Sequence, residues 1–141
     1  MFAVNTKTQT LMEKKAIFID AHAQKITEIL LSTQNTLKEV YSTIGNNCDI
    51  IEMGCYLKGN DGLMVDGEGY FKEGLCGFYI FDVGFFYGNG LIMGADELGE
   101  LDDFKTNFYD VKKMVTFIDK DDSAIIRDKV LNNPQFLWQT K

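Results

Sequence analysis

The chain has 141 residues, a formal net charge of −7 and a single arginine, Arg127. That length describes one domain that can bury a core without disulfide or metal staples. The acidic balance excludes a groove that tracks the phosphates of long DNA or RNA. It leaves room for a nucleotide-sized ligand held by backbone N–H groups and one or two lysines.

Residues 1–13 are polar and are expected to be a loose lead-in without a signal peptide. Ala16-Ile17-Phe18-Ile19-Asp20 is apolar and β-branched, Ala21–Gln24 turns, and Lys25–Leu30 alternates again, which predicts a hairpin. Thr36 and Glu39 have capping-box spacing. Leu37, Val40, Tyr41 and Ile44 follow at i, i+3, i+4 and i+7, with Gly45 just past the end. The spacing predicts an amphipathic helix over Thr36–Ile44 with a Leu37/Val40/Ile44 stripe turned to the core.

Cys48–Leu57 alternates, with Ile51, Met53, Cys55 and Leu57 on one face. Turn signals at Gly59-Asn60-Asp61-Gly62 and Asp66-Gly67-Glu68-Gly69 bracket a strand at Leu63–Val65 and lead into Tyr70-Phe71. Short strands are expected at Cys76–Phe81, Gly84–Tyr87 and Leu91–Met93, together forming an antiparallel meander. No crossover helices separate them, so a parallel sheet is not expected. Ala95–Asp103 is acidic and reads as a loop. Phe108, Val111 and Met114 stand at helical spacing, Val115–Ile118 reads as a closing strand, and Asp122 or Ser123 offers a cap for a helix over Ala124–Leu131. Residues 120–141 are expected to be a C-terminal helical extension, with Pro134 where its helix has already stopped. The fold class is therefore α+β, an antiparallel sheet packed on one amphipathic helix in a single domain. No apolar run approaches the ~20 residues of a membrane span. Cys48, Cys55 and Cys76 form no Cys-x-x-Cys pair and read as buried thiols of a reducing compartment, so a cytoplasmic protein is expected.

The densest feature is Gly77–Gly94, where six aromatic rings and a Gly88-Asn89-Gly90 corner share eighteen residues. Rings offer flat faces for a base. The glycine corner permits close backbone approach, and the asparagine amide both donates and accepts. In a strand, Phe78 and Ile80 share one face while Tyr79 and Phe81 share the other. One set fills the core against the helix stripe; the other meets a second layer, a partner subunit or a ligand. The corner is no dinucleotide fingerprint, because its last glycine is one place too far and no helix follows.

Catalytic chemistry has little to draw on. His22 lies alone in a hairpin turn, no Gly-x-Ser-x-Gly elbow occurs, and no catalytic residue is assigned. Asp66 and Glu68, like the run Asp96, Glu97, Glu100, Asp102 and Asp103, do not match a calcium loop, so no metal and no cofactor is expected.

Three ordered groups of phrases carry a resemblance. They are Ala16-Ile17-Phe18-Ile19-Asp20-Ala21 with Ile26-Thr27-Glu28; Ile44-Gly45 into Asn47-Cys48-Asp49; and Met64-Val65-Asp66-x-Glu68-Gly69 followed by Gly88-Asn89-Gly90-Leu91-Ile92-Met93-Gly94. From about Lys15 to Asp119 the chain resembles the Thoeris anti-defence protein 1 sponges and the wider group of phage proteins that share their domain. The resemblance implies a non-enzymatic phage sponge in the host cytoplasm that sequesters glycocyclic ADP-ribose signals. Some such proteins also hold cyclic trinucleotides of the CBASS defence system, in a hexamer built as a trimer of dimers. Carried onto this chain, the implied ligand-binding residues are Gly88, Asn89 and Gly90 at the corner, Tyr79 or Phe81 as the ring, and Lys105 as the cation. Lys105 stands where an arginine is expected in relatives, and lysine cannot form the bidentate fork on phosphate. The rival readings are an enzyme that degrades such a signal and a protein that inhibits a host defence enzyme by direct contact.

Overall fold

The computed structural model describes residues 13–133. The first hairpin forms as its pattern requires: β1 (Glu13–Asp20) pairs with β2 (Lys25–Ser32) along its full length, from Glu13 opposite Ser32 to Asp20 opposite Lys25. Helix α1 (Thr36–Ile44) follows, then β3 (Ile51–Tyr56) and β4 (Gly62–Asp66), β5 (Gly77–Ile80), β6 (Gly84–Tyr87) and β7 (Gly90–Ala95). The Ala95–Asp103 segment, expected to be a loop, turns back as β8 (Leu101–Asp102), which pairs with the end of β7.

The strands are antiparallel, but they do not form a meander. The main sheet runs β2-β1-β7-β4-β3, with β8 on β7, so β7 closes the gap between two hairpins formed earlier in the chain. Its composition explains the central place: Leu91 and Ile92 point to opposite faces and both are fully buried. A strand covered on both faces reads as a continuous apolar run. Strands β5 and β6 leave this sheet and form a second one, completed by β9 (Val115–Ile118), in the order β6-β5-β9.

Side-chain alternation assigns the two faces of the main sheet to different layers. Ala16, Leu31 and Leu91 pack under Val40 and Ile44 of α1. Ile17, Ile19, Leu63 and Ile92 pack against Phe78 and Ile80 of the second sheet. The inward rings of the aromatic run therefore meet the face of the sheet opposite α1, not the helix stripe itself. Leu37, expected in that stripe, is 64% exposed. The helix start also differs from a capping box: Asn35 precedes it without a side-chain cap, while Glu39 Oε1 accepts from Ser32 N at 2.9 Å and Thr36 Oγ1 donates to Ser32 O at 2.7 Å. The polar pair is used to hold β2 onto the helix.

The two sheets approach closely because glycines face rings. A Cβ at Gly90 would stand 2.8 Å from Phe78 Cζ, and one at Gly54 would stand 2.7 Å from Phe86 Cε1. After β8 come α2 (Phe108–Met114), capped by Asn107 accepting from Tyr109 N and Asp110 N, and then β9. Helix α3 (Lys120–Asn132) begins earlier than expected, because Asp119 and not Asp122 or Ser123 is its cap, accepting from Asp122 N at 2.8 Å. Ser123 instead accepts from Gly77 N at 2.9 Å and donates to Ile118 O at 3.1 Å, bolting the helix to β5 and β9. The result is an α+β fold layered as helix, sheet, sheet, helix. The expected lead-in up to residue 12 and the extension beyond Asn133, with Pro134, lie outside the described residues. Among the described residues no helix is long and apolar enough to cross a membrane.

Candidate functional site

Six residues were singled out in the sequence as a ligand site, and the fold distributes them over different places. Tyr79 lies on the outer face of β5, half-buried against the layer of Leu75, Phe85 and Tyr87, which Ile126 of α3 also covers. The second face of the aromatic run is thus closed by a layer from the same chain. Phe81 is not in the strand. It occupies the β5–β6 turn, its amide donating to Met114 O at 2.9 Å and its ring 76% exposed. The strand and its pairing stop at Ile80, one residue before Phe81, and Asp82 at φ 65° continues the turn.

The Gly-Asn-Gly corner has an internal role. Gly88, at φ 101°, donates its N–H to Cys76 O at 2.8 Å. Asn89 Oδ1 accepts from Ala21 N at 2.8 Å and its Nδ2 donates to Ile44 O at 3.0 Å. One amide therefore ties the β1–β2 turn and the last residue of α1 to the start of β7, where Gly90 sits. Lys105 lies at the other end of that strand, its ammonium donating to Ala95 O at 3.2 Å. At the rise of an extended strand, the two ends of β7 are separated by roughly 15–20 Å. Within one chain the corner and the lysine do not converge.

A cleft is found where α1 stops short. The helix covers the β2, β1 and β7 side of its face, leaving the same face of β4 and β3 open. The floor there is Met53, Met64, Met93 and Gly62, and the walls are Tyr56, the start of α1 at Thr36, and the β7–β8 turn; the space is about 710 Å³. Across Tyr56 and Asn60 it continues into a second depression of about 760 Å³, bordered by Leu98, Asp102 and Lys105. Tyr56 is 70% exposed and is the aromatic surface common to both.

A bulge aims Tyr56 there. Met53 opposes Met64, but after Gly54 the register shifts so that Cys55 opposes Leu63 and Tyr56 opposes Gly62. Uninterrupted alternation would leave Ile51, Met53 and Cys55 together and send Tyr56 to the other face. With the extra residue, Cys55 turns toward the second sheet and Tyr56 joins the methionines. The signal in the sequence was Gly54 itself, a glycine inside a strand pattern, which marks a bulge or a close backbone approach. The notional face Ile51/Met53/Cys55/Leu57 is split for the same reason.

The electrostatics of the rim are lopsided. Lys105 Nζ is 3.5 Å from the Asp102 carboxylate, and Lys14 Nζ is 3.8 Å from it. The Asp103 backbone N–H, followed by Lys105 and Lys14, holds the Asp102 carboxyl below the usual aspartate range. Asp96 and Glu97 stand on the same depression, and Glu100 stands on the cleft. The backbone carrying Lys105 is fixed from beneath by the fully buried Asp61, whose Oδ2 accepts from Lys105 N at 2.8 Å and Thr106 N at 2.7 Å. Thr106 Oγ1 adds a bond to Lys58 O at 3.0 Å, which ties the Lys58–Asn60 segment to the Lys105 segment.

The cleft combines a ring for stacking, a thioether floor for apolar contact and one cation set among carboxylates. His22 stands exposed in the β1–β2 turn. Among the described residues no group of three or more His, Cys, Asp or Glu side chains is arranged to hold a metal ion. Comparison of the chain with protein-family models, curated proteins and solved structures yields no match.

Proposed function

We propose that this protein is a phage anti-defence sponge that binds a cyclic nucleotide immune signal, of the glycocyclic ADP-ribose type, and withholds it without cleaving it. Two things support the reading: the ordered phrases from Ala16 to Gly94 that resemble the Thoeris anti-defence sponges, and the cleft around Tyr56. The observation that carries it is the exposed Tyr56, which borders both the methionine-floored cleft and the depression that Lys105 lines. Stacking of a base on such a ring contributes ~1–3 kcal/mol. Sequestration calls for tight binding and slow release, and neither demands a nucleophile or a base.

Lys105 alone does not balance the carboxylates of Asp96, Glu97 and Asp102 against a pyrophosphate. A pocket completed by a second copy of the chain supplies further cations and shields the ligand from water. A homo-oligomer, a dimer or a hexamer built from three dimers, is therefore part of the proposal, and a separate site for CBASS cyclic oligonucleotides is its extension. The test is release by heat. Protein is incubated with glycocyclic ADP-ribose, washed, denatured, and the supernatant analysed by mass spectrometry. Intact ligand at stoichiometric yield supports sequestration; hydrolysed ligand shows a degrading enzyme and overturns it.

A second reading, direct inhibition of a host defence enzyme, is favoured by Leu98, which is 85% exposed at the tip of the acidic β7–β8 turn. An apolar residue flanked by carboxylates suits docking on a basic protein surface. Co-purification with the enzyme when no signal is made, lost on Leu98→Asp, distinguishes this reading.

A further inference from the structure

The floor of the cleft holds half of the chain's six methionines, and they come from three adjacent strands. Met53 of β3 lies directly opposite Met64 of β4, and Met93 of β7 lies directly opposite Gly62 of β4. Gly62 leaves a hole that Met53 and Met64 fill. A Cβ there would meet Met53 Sδ and Cε at 2.7 Å each and Met64 Cε at 3.2 Å. The Met53 thioether and the Met64 terminal methyl thus lie over the glycine, and Met93 is carried on the neighbouring strand at the position opposite it.

We propose that Met53, Met64 and Met93 form a three-thioether site for a soft monovalent d¹⁰ metal ion, Cu(I) or its redox-inert analogue Ag(I). Thioether sulfur is uncharged, polarizable and always deprotonated, so it selects soft cations over Zn²⁺, Mg²⁺ or Ca²⁺. The surroundings favour a cation as well. Tyr56 presents its ring and Glu100 its carboxylate on the same cleft, and an aromatic face attracts a positive charge. The three residues are partly open to the cleft, Met53 being 37% exposed, so an ion can enter without unfolding the sheet. Three flexible thioether side chains lining one cleft offer sulfur ligands that leucine does not. The inference is independent of the nucleotide reading, and its test contains no nucleotide.

The full chain is labelled with methyl-¹³C methionine and titrated with Ag(I). The methyl resonances of Met53, Met64 and Met93 are expected to move together and saturate at one equivalent, while that of Met114, outside the cleft, stays in place. Met64→Leu and Met93→Leu conserve volume and preserve the fold; each is expected to weaken Ag(I) binding at least tenfold. The thiols of Cys48, Cys55 and Cys76 are the competing soft ligands, so the titration is repeated with all three replaced by serine. Saturation that persists in the serine protein supports the thioether site. Loss of binding there, or leucine variants that bind Ag(I) unchanged, overturns it. Should the serine protein not fold, the leucine variants in the native background decide through the methyl shifts of the remaining cleft methionines, which report thioether and not thiol binding.

Discussion

Asn89 shows how one side chain can be read two ways. An asparagine between glycines is equipped to bind a ligand, yet here both ends of its amide are bonded within the chain, to Ala21 N and Ile44 O. Asn89→Ala would leave that donor and acceptor unpaired, each costing about 1–3 kcal/mol if water cannot reach it. A fall in the urea midpoint is therefore expected, and an unchanged midpoint would free Asn89 for a ligand role. Tyr56 should behave in the opposite way. Its exposed ring contributes little to the core, so Tyr56→Ala should leave the melting temperature nearly unchanged. Ligand affinity should fall about 5- to 150-fold, the equivalent of one stacked base. Calorimetry on both variants separates a structural residue from a binding one.

Tyr70 gives a third expectation at this scale. It donates to Phe85 O at 3.1 Å and stacks on Tyr87 at 5.9 Å between centroids. Burial pushes its hydroxyl up to about 12. The unfolded chain ionises this group near pH 10, whereas the folded chain keeps its proton until about 12, so the folded state binds more protons in that window. Its contribution to stability is thus complete below pH 10 and declines as pH rises toward 12, by about 2–3 kcal/mol in total. Tyr70→Phe removes that component. Denaturant titrations at pH 9 and pH 11.5 should show a smaller loss in the variant than in the parent.

Among the elements, the β3 bulge and helix α3 decide the most. Gly54 admits the Phe86 ring, since a Cβ there would stand 2.7 Å from Phe86 Cε1. Gly54→Val forces that ring or the bulge to shift, and overpacking of this kind costs typically 1–3 kcal/mol. Because the bulge also orients Tyr56, the same change should weaken ligand binding beyond its effect on stability. Tyrosine fluorescence anisotropy and a melting curve would register the two effects separately. The short polar contacts at the ends of elements are equally consequential. Lys72 Nζ forms a close ion pair with the buried Asp66 carboxylate and also donates to Asn46 O at 2.7 Å and Asn47 O at 3.1 Å. It joins the loop after α1 to the segment after β4. Lys72→Met removes one partner of a buried pair and is expected to cost about 3–5 kcal/mol, read as the change in unfolding free energy.

At the scale of the molecule, charge sets the character of binding. The chain carries −7, and the cleft rim adds carboxylates around Lys105. A polyanionic ligand is therefore repelled at long range, in contrast to one approaching a basic pocket. Raising ionic strength from 0.01 M to 0.15 M shortens the screening length from about 30 Å to about 8 Å, so association should become faster as salt is added. Stopped-flow measurements that show slower association instead would move the site to another, more basic surface. Native mass spectrometry with and without ligand tests whether a second copy completes the pocket.

Several elements were legible in the chain because local chemistry determines them. The β1–β2 hairpin follows from β-branched alternation around a four-residue turn, and the core positions Val40 and Ile44 follow from helical spacing. Asp119 and Asn107 were missed as caps, although each is an ordinary cap residue at its helix start. Leu37 has core spacing yet is exposed, because a helix pattern cannot show how far the sheet beneath extends. The candidate site was less legible still. Lys105 lines the depression beside Tyr56, whereas Asn89 is consumed within the fold and Tyr79 is covered by α3. By itself the sequence determined the α+β class and most strands, because these depend on periods of 2 and 3.6 residues. Only the tertiary structure decided that β7 sits at the centre, that a second sheet covers one face, and that one extra residue at Gly54 turns Tyr56 toward the methionines. Those outcomes depend on contacts between segments far apart in the chain, and no local period encodes them.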